Sequence, residues 1–262
     1  MTTPHADLVA PGTWWLRGTR GANVYLVEAD DGSLVLVDTG FRGSEAAILR
    51  ALDGVAPGKP LEAILLTHEH FDHVGAAAGL VARTGARIVA GRGDCDAAPG
   101  GGFFLRPHTG PTHHLRRLKQ RFRPPPTPRA LRVDMAVEAE REVAPGVCAV
   151  PTPGHTPGSL CFVVPSRGLA FAGDLVISHG GTLTRPLRSA NADDAVYLQS
   201  MRNFAAVAPA TGFPGHGQPL LTGFDVALKE LAAFPRRRPG VRGYITRVRR
   251  LAGFGRNISR RR

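Results

Sequence analysis

Nine consecutive residues, Thr67-His68-Glu69-His70-Phe71-Asp72-His73-Val74-Gly75, place three imidazoles and two carboxylates within six positions. Imidazole nitrogens and carboxylate oxygens suit zinc, iron or manganese, and tetrahedral zinc needs three or four such donors. In an extended segment residues i and i+2 point the same way, so His68 and His70 can grip one ion. As the chain turns into a helix, Asp72 and His73 can face a second ion beside the first.

Further donors lie downstream. His155 is at the apex of Pro151-Thr152-Pro153-Gly154-His155-Thr156-Pro157-Gly158-Ser159, a loop tightened by its prolines and glycines. Gly173-Asp174 ends a hairpin turned at Ser166-Arg167-Gly168, and Gly215-His216-Gly217 follows Thr211-Gly212-Phe213-Pro214. Alone, Asp174 reads as a turn residue and His216 as a loop histidine. Each follows an apolar strand-like run, so all are expected to meet at one edge of a sheet system, where open α/β sheets keep their sites.

The elements that must position these donors are read from apolar periodicity. Strands are expected at 13–16, 23–28, 34–37, 64–66 and 88–90, with helices at 44–52 and 72–83. The second half repeats the style, with strands at 147–150, 160–164, 169–172 and 211–213 and helices at 193–207 and 223–234. The pattern by itself gives a mixed α/β chain.

These motifs resemble the metallo-β-lactamase superfamily. The matching residues are Val37-Asp38-Thr39-Gly40, the T-H-x-H-x-D-H-x-G run at 67–75, Pro153-Gly154-His155-Thr156, Gly173-Asp174 and Gly215-His216-Gly217. The resemblance implies a four-layer αββα sandwich with two mixed β-sheets. It also implies that His68, His70 and His155 hold one metal, that Asp72, His73 and His216 hold a second, and that Asp174 bridges them. Asp38 would orient the ligand loop from behind, and Asp72 and Asp174 would serve the chemistry as well as the metals. The implied cofactors are two divalent ions, zinc first, with iron and manganese as alternatives. Glu69 falls between two ligands and is expected to be solvated or to support them from outside.

The resemblance does not extend to one substrate. Glyoxalase-II-like hydrolases carry Gly-His-Glu where this chain has Gly215-His216-Gly217, and lactonases of the better-known type place a tyrosine where Ile177 stands. The leading expectation is a hydrolase in which a hydroxide shared by two ions, about 3.5–4 Å apart, attacks a small ester, thioester or lactone. A phosphodiesterase or nuclease using the basic tail, and a mononuclear-iron persulfide dioxygenase, are the alternatives.

Composition fits one globular domain: 262 residues, 43% hydrophobic and 21% charged, can bury a full core. The chain has no run of eighteen apolar residues that would span a membrane. Met1 to Asp7 shows neither a basic nor an apolar leader segment, so a cytoplasmic location is expected. Cys95, Cys148 and Cys161 have no paired spacing and read as reduced thiols. Of the net charge of +12, residues 236–262 carry +11 from eleven arginines, which leaves +1 for residues 1–235. The expected division is therefore a hydrolase domain at 1–235 and a basic tail at 236–262. The tail is a candidate for an anionic membrane surface or nucleic acid.

Between the halves, residues 91–132 show no sustained strand pattern and read as an insertion or lid with a short helix near 111–121. Its residues 100–123 are a candidate substrate wall, with Phe103 and Phe104 as contacts. His179, five residues past Asp174, is a further substrate candidate.

Overall fold

A computed structural model of the chain describes residues 5–106 and 131–235. Two sheets stack face to face. The first runs in the spatial order β1 (Ala6–Ala10), β2 (Thr13–Leu16), β3 (Tyr25–Glu28), β4 (Leu34–Val37), β5 (Leu61–Leu65), β6 (Arg87–Gly91) and β10 (Met135–Val137). Its first four strands are antiparallel, and β4, β5, β6 and β10 are parallel, so the sheet is mixed. The second holds β11 (Arg141–Ala144), β12 (Val147–Pro151), β13 (Leu160–Val164), β14 (Leu169–His179) and β15 (Thr182–Thr184). Strand β16 (Thr211–His216) joins β14 in parallel.

Strict alternation sorts the side chains into layers. In β4, Leu34 and Leu36 face one core while Val35 and Val37 face another. In β14, Leu169 and Phe171 enter the space between the sheets while Ala170 and Ala172 face outward under helices. A strand buried on both faces has no polar side to show, which is why these runs are continuously apolar. Helices α1 (Glu45–Val55) and α3 (Ala77–Thr84) cover the first sheet. Helices α4 (Asp194–Val207) and α5 (Phe224–Ala233) cover the second. Three cores separate four layers, and the αββα expectation is met. Tyr25, Phe171 and Phe213 fill the middle, with ring centroids 4.8–5.5 Å apart.

Several boundaries move. The single helix expected over 72–83 is two: α2 (Phe71–Val74) and then α3. The break has a visible cause. The His73 carbonyl accepts from both the Thr39 N–H at 2.7 Å and the Thr39 hydroxyl at 2.8 Å, so it is taken by β4's loop. Strand β14 does not stop at Ala172 but carries Asp174 within it and ends at His179, held by β15 and β16. The stretch read as strandless forms a small sheet of β7 (Cys95–Ala97), β8 (Phe103–Leu105) and β9 (Arg132–Val133). The 111–121 helix, most of the 100–123 wall and the 236–262 tail lie outside the described residues. Among the described residues no helix is long and apolar enough to cross a membrane.

Candidate metal centre

Parallel pairing of β4 and β5 brings their C-terminal ends side by side, and the first donors leave from there. Asp38 follows β4; it is buried and is the one described non-glycine residue with positive φ, 59°. An aspartate tolerates that left-handed conformation better than most residues, and such strain is found at functional sites. Its Oδ1 accepts from the Thr67 N–H at 2.9 Å and its Oδ2 from the Thr67 hydroxyl at 2.8 Å. Oδ2 also lies 2.7 Å from His73 Nδ1. The His73 ring thus keeps its proton on Nδ1 and turns Nε2 inward. The Thr67 oxygen, having donated to Asp38, accepts from His68 Nδ1 at 3.1 Å, so His68 also presents Nε2.

The second half supplies the remaining donors. His155 Nδ1 lies 3.0 Å from Asn191 Oδ1, whose amide nitrogen donates to Asp194 at 2.8 Å. This fixes His155 with Nε2 toward the site, 3.1 Å from His70 Nδ1. Strand β14 lifts Asp174 between the two halves. Its Oδ2 is 3.5 Å from His155 Nε2, while its Oδ1 is 3.4 Å from His73 Nε2 and 3.5 Å from His216 Nε2. His216 Nε2 in turn lies 3.3 Å from Asp72 Oδ2. Gly215 makes this approach possible, since a Cβ there would sit 2.7 Å from Asp174 Oδ1 and 2.8 Å from His73 Cε1.

The donors fall into two groups, His68, His70, His155 and Asp174 in one and Asp72, His73 and His216 in the other, each with its ligand atoms within 4.8 Å of one another. Asp174 faces both. The structure therefore brings together all seven residues that the sequence nominated. The donor set fits metal ions on a direct observation: His68 Nε2, His73 Nε2 and Asp174 Oδ1 are buried without a hydrogen-bond partner. Buried polar atoms are normally satisfied, and orphans in both donor groups, with Asp174 between them, mark places for cations.

Charge is finely divided here. Burial resists ionisation of Asp174, yet His216, His73 and His68 hold its carboxyl well below the usual range. Burial also resists ionisation of Asp72, but the hydrogen bond from His216 and the charge of His73 bring it down to about 2. His68 is pushed well down by burial, and then by His73, His70 and His155. His73 goes the other way: burial opposes its charge, but Asp38 and Asp174 raise it well above the ordinary imidazole value. Two carboxylates are thus kept as anions among imidazoles that do not all accept protons.

Other nominated residues take lesser places. Phe103 is half-buried and packs against the outer core, with the Arg92 guanidinium 4.2 Å over its ring. Phe104 is half-buried in β8. His179 is exposed at the end of β14, its backbone paired with Thr182. Glu69 is buried, which corrects the solvated reading. Cys95 and Cys161 are buried thiols pushed up to about 11 and about 12 by burial, consistent with inert core residues.

Four contributors lacked a signal strong enough to read. Asn191 and Asp94 act on residues far from them in sequence. Asn23 donates from Nδ2 to the Pro214 and Gly217 carbonyls at 2.9 and 2.7 Å and from its backbone to Gly215 at 2.7 Å, bracketing His216. Phe71, between ligands His70 and Asp72, is 57% exposed and stacks on Phe41 at 5.3 Å.

Comparison with known proteins agrees with this geometry. Bacillus subtilis YobT is 33% identical over 168 residues, 61% of this chain and 64% of its own length. An atrochrysone carboxyl ACP thioesterase of Aspergillus fumigatus is 27% identical over 207 residues, 79% of this chain and 53% of its own length. The chain thus spans between half and two thirds of these relatives. The solved structure of TTHA1623 in a di-iron-bound form superposes with a TM-score of 0.54 at 29% identity, covering 78% of this chain and 92% of that one. The family model described as the metallo-beta-lactamase superfamily matches residues 17–216, and the chain, matched over most of its length, belongs to that superfamily.

Proposed function

We propose that the protein is a metal-dependent hydrolase of a small acyl thioester or ester, working with two divalent ions, zinc first among the candidates. The observation that carries this reading is Asp174, whose two oxygens face different donor groups. Two ions, when bound, polarise a carbonyl oxygen and lower the pKa of water toward neutrality. The donor chemistry, five imidazoles and two carboxylates, suits zinc, iron and manganese. The thioesterase named among the relatives supports the acyl class, as does the exposed apolar ring of Phe71 beside the ligands.

The chain's own residues divide the work. His68, His70 and His155 with Asp174 would hold one ion, and Asp72, His73 and His216 with Asp174 would hold the other. Asp38 and Asn191 engage Nδ1 of His73 and His155 and so turn Nε2 of each ring toward the metal positions. Asp72 and Asp174, as anions, accept hydrogen bonds from an attacking water and fix its direction. Phe71, stacked on Phe41, offers an apolar surface for the acyl chain. With pKa values this low, neither carboxylate retains a proton for long at neutral pH, so the proton passes on to solvent.

Metal analysis of the purified chain together with a screen of thioesters, esters, lactones, phosphodiesters and β-lactams tests this. Turnover of acyl thioesters or esters by protein holding about two ions per chain supports it. Turnover confined to phosphodiesters, or one iron and persulfide oxidation, overturns it.

A further inference from the structure

Asp94 lies outside both donor groups, yet its carboxylate grips the loops of both. It is the last residue of a single 3-10 turn after β6, and it is fully enclosed, at 0% exposure. Oδ2 accepts from the Glu69 N–H at 3.0 Å and from the Thr156 hydroxyl at 2.7 Å; Oδ1 accepts from the Gly158 N–H at 2.7 Å. Glu69 stands between ligands His68 and His70, and Thr156 follows ligand His155. One carboxylate therefore ties the loop that carries two donors of the first group to the loop that carries its third.

The local sequence is shaped to allow this contact. A Cβ on Gly158 would collide with Asp94 itself, and one on Gly93 would collide with the Pro157 carbonyl. Burial is the largest influence on the Asp94 carboxyl, pushing it up to about 6; Glu69 adds to this, and the donors from Thr156, Gly158 and Glu69 oppose it. Enclosing a carboxylate is costly unless its hydrogen bonds are met, and here they come from the two ligand loops. The second group receives nothing comparable from Asp94: His73 is held by Asp38, and the His216 loop by Asn23.

We propose that Asp94 is the positioning residue for the first ion alone, setting the distance between His155 and the His68–His70 pair. The inference rests on the two-ion reading above. Outer hydrogen-bond partners of metal ligands typically change affinity by about 10- to 100-fold when removed. The effect here is confined to one of two adjacent sites.

The test uses the full chain in two backgrounds, with cobalt(II) as the probe and its visible absorption as the readout. His216→Ala leaves the first group whole; His68→Ala leaves the second whole. Asp94→Asn presents amide hydrogens to at least one backbone N–H, so it should weaken cobalt binding about 10- to 100-fold in the first background and leave it unchanged in the second. Thr156→Val removes the hydroxyl's bond to Asp94 and its 2.8 Å contact with Ser159 Oγ with little change of shape, and should act in the same direction, with Thr156→Ser restoring affinity. These variants keep the inference testable if Asp94→Asn does not fold. Equal loss in both backgrounds, or no loss in the first, overturns the assignment. An unsubstituted chain that binds fewer than two ions overturns the underlying two-ion reading, and that result is seen before any variant is compared.

Discussion

Asp38 Oδ2 stands 2.7 Å from His73 Nδ1, with both side chains buried, so one carboxylate decides which nitrogen of the ring faces the site. The same oxygen takes the Thr67 hydroxyl, which orders His68. Replacing Asp38 by Ala removes both controls. The expected outcome is weaker binding of both ions, the second by about 10- to 100-fold, read by titration with a competing chelator. Unchanged affinity for both ions would show that Asp38 only caps a turn.

Asn191 plays the matching part for His155. Asn191→Ala frees Nδ1 of the ring and should cost about tenfold in metal affinity. Asn191→Asp combined with Asp194→Asn keeps an acceptor toward that nitrogen and a donor between the two side chains, and should restore most of it. Failure of the double variant to restore binding would point to a packing role instead.

Gly215 is small because Asp174 and His73 need its space. Its Ala variant would place a methyl within 2.7–2.8 Å of both, displacing donors of both ions. Loss of bound metal with retained secondary structure is expected, measured by metal analysis beside circular dichroism. A Gly215→Ala protein with full metal content would contradict the crowding argument.

Metal binding should tighten with pH. In the ion-free chain His73 holds its proton to well above the reference value of 6.5, because Asp38 and Asp174 outweigh burial. The stability this gives the ion-free chain is fully present below that reference and lost as pH rises through the raised value. An ion on Nε2 displaces that proton, so binding releases it, and affinity should rise by up to about tenfold per pH unit for each proton released. Zinc titrations between about pH 6 and about pH 8 in weak buffer check the direction. Affinity that falls with pH would contradict the protonation scheme.

Phe71 is exposed and makes no call on the core, so Phe71→Ala should fold and load metal normally. KM for thioesters with long or aromatic acyl chains should rise several-fold, with kcat little altered. Equal kinetics across a chain-length series would remove Phe71 from substrate binding.

Much of this was legible in the sequence, for physical reasons. Strands such as β4, β13 and β14 are buried on both faces and read as unbroken apolar runs. The 67–75 run concentrates donors so tightly that its chemistry shows without a structure. Short strands β1, β10 and β15 were missed because they lie at or near sheet edges and carry mixed polarity. The break between α2 and α3 depends on Thr39 capturing a carbonyl 34 positions away. Asn191 and Asp94 depend on partners 36 and 62 positions distant, and a polar residue in a loop gives no sign of such a partner.

The central claim is that Asp174 joins two ions into one hydrolytic centre. Metal content and thioester turnover of Asp174→Ala, measured beside the unsubstituted chain, test it most directly. About two ions per chain are expected in the unsubstituted protein, and in the variant a loss of bound metal together with loss of turnover. A variant that keeps both ions and full turnover would contradict it.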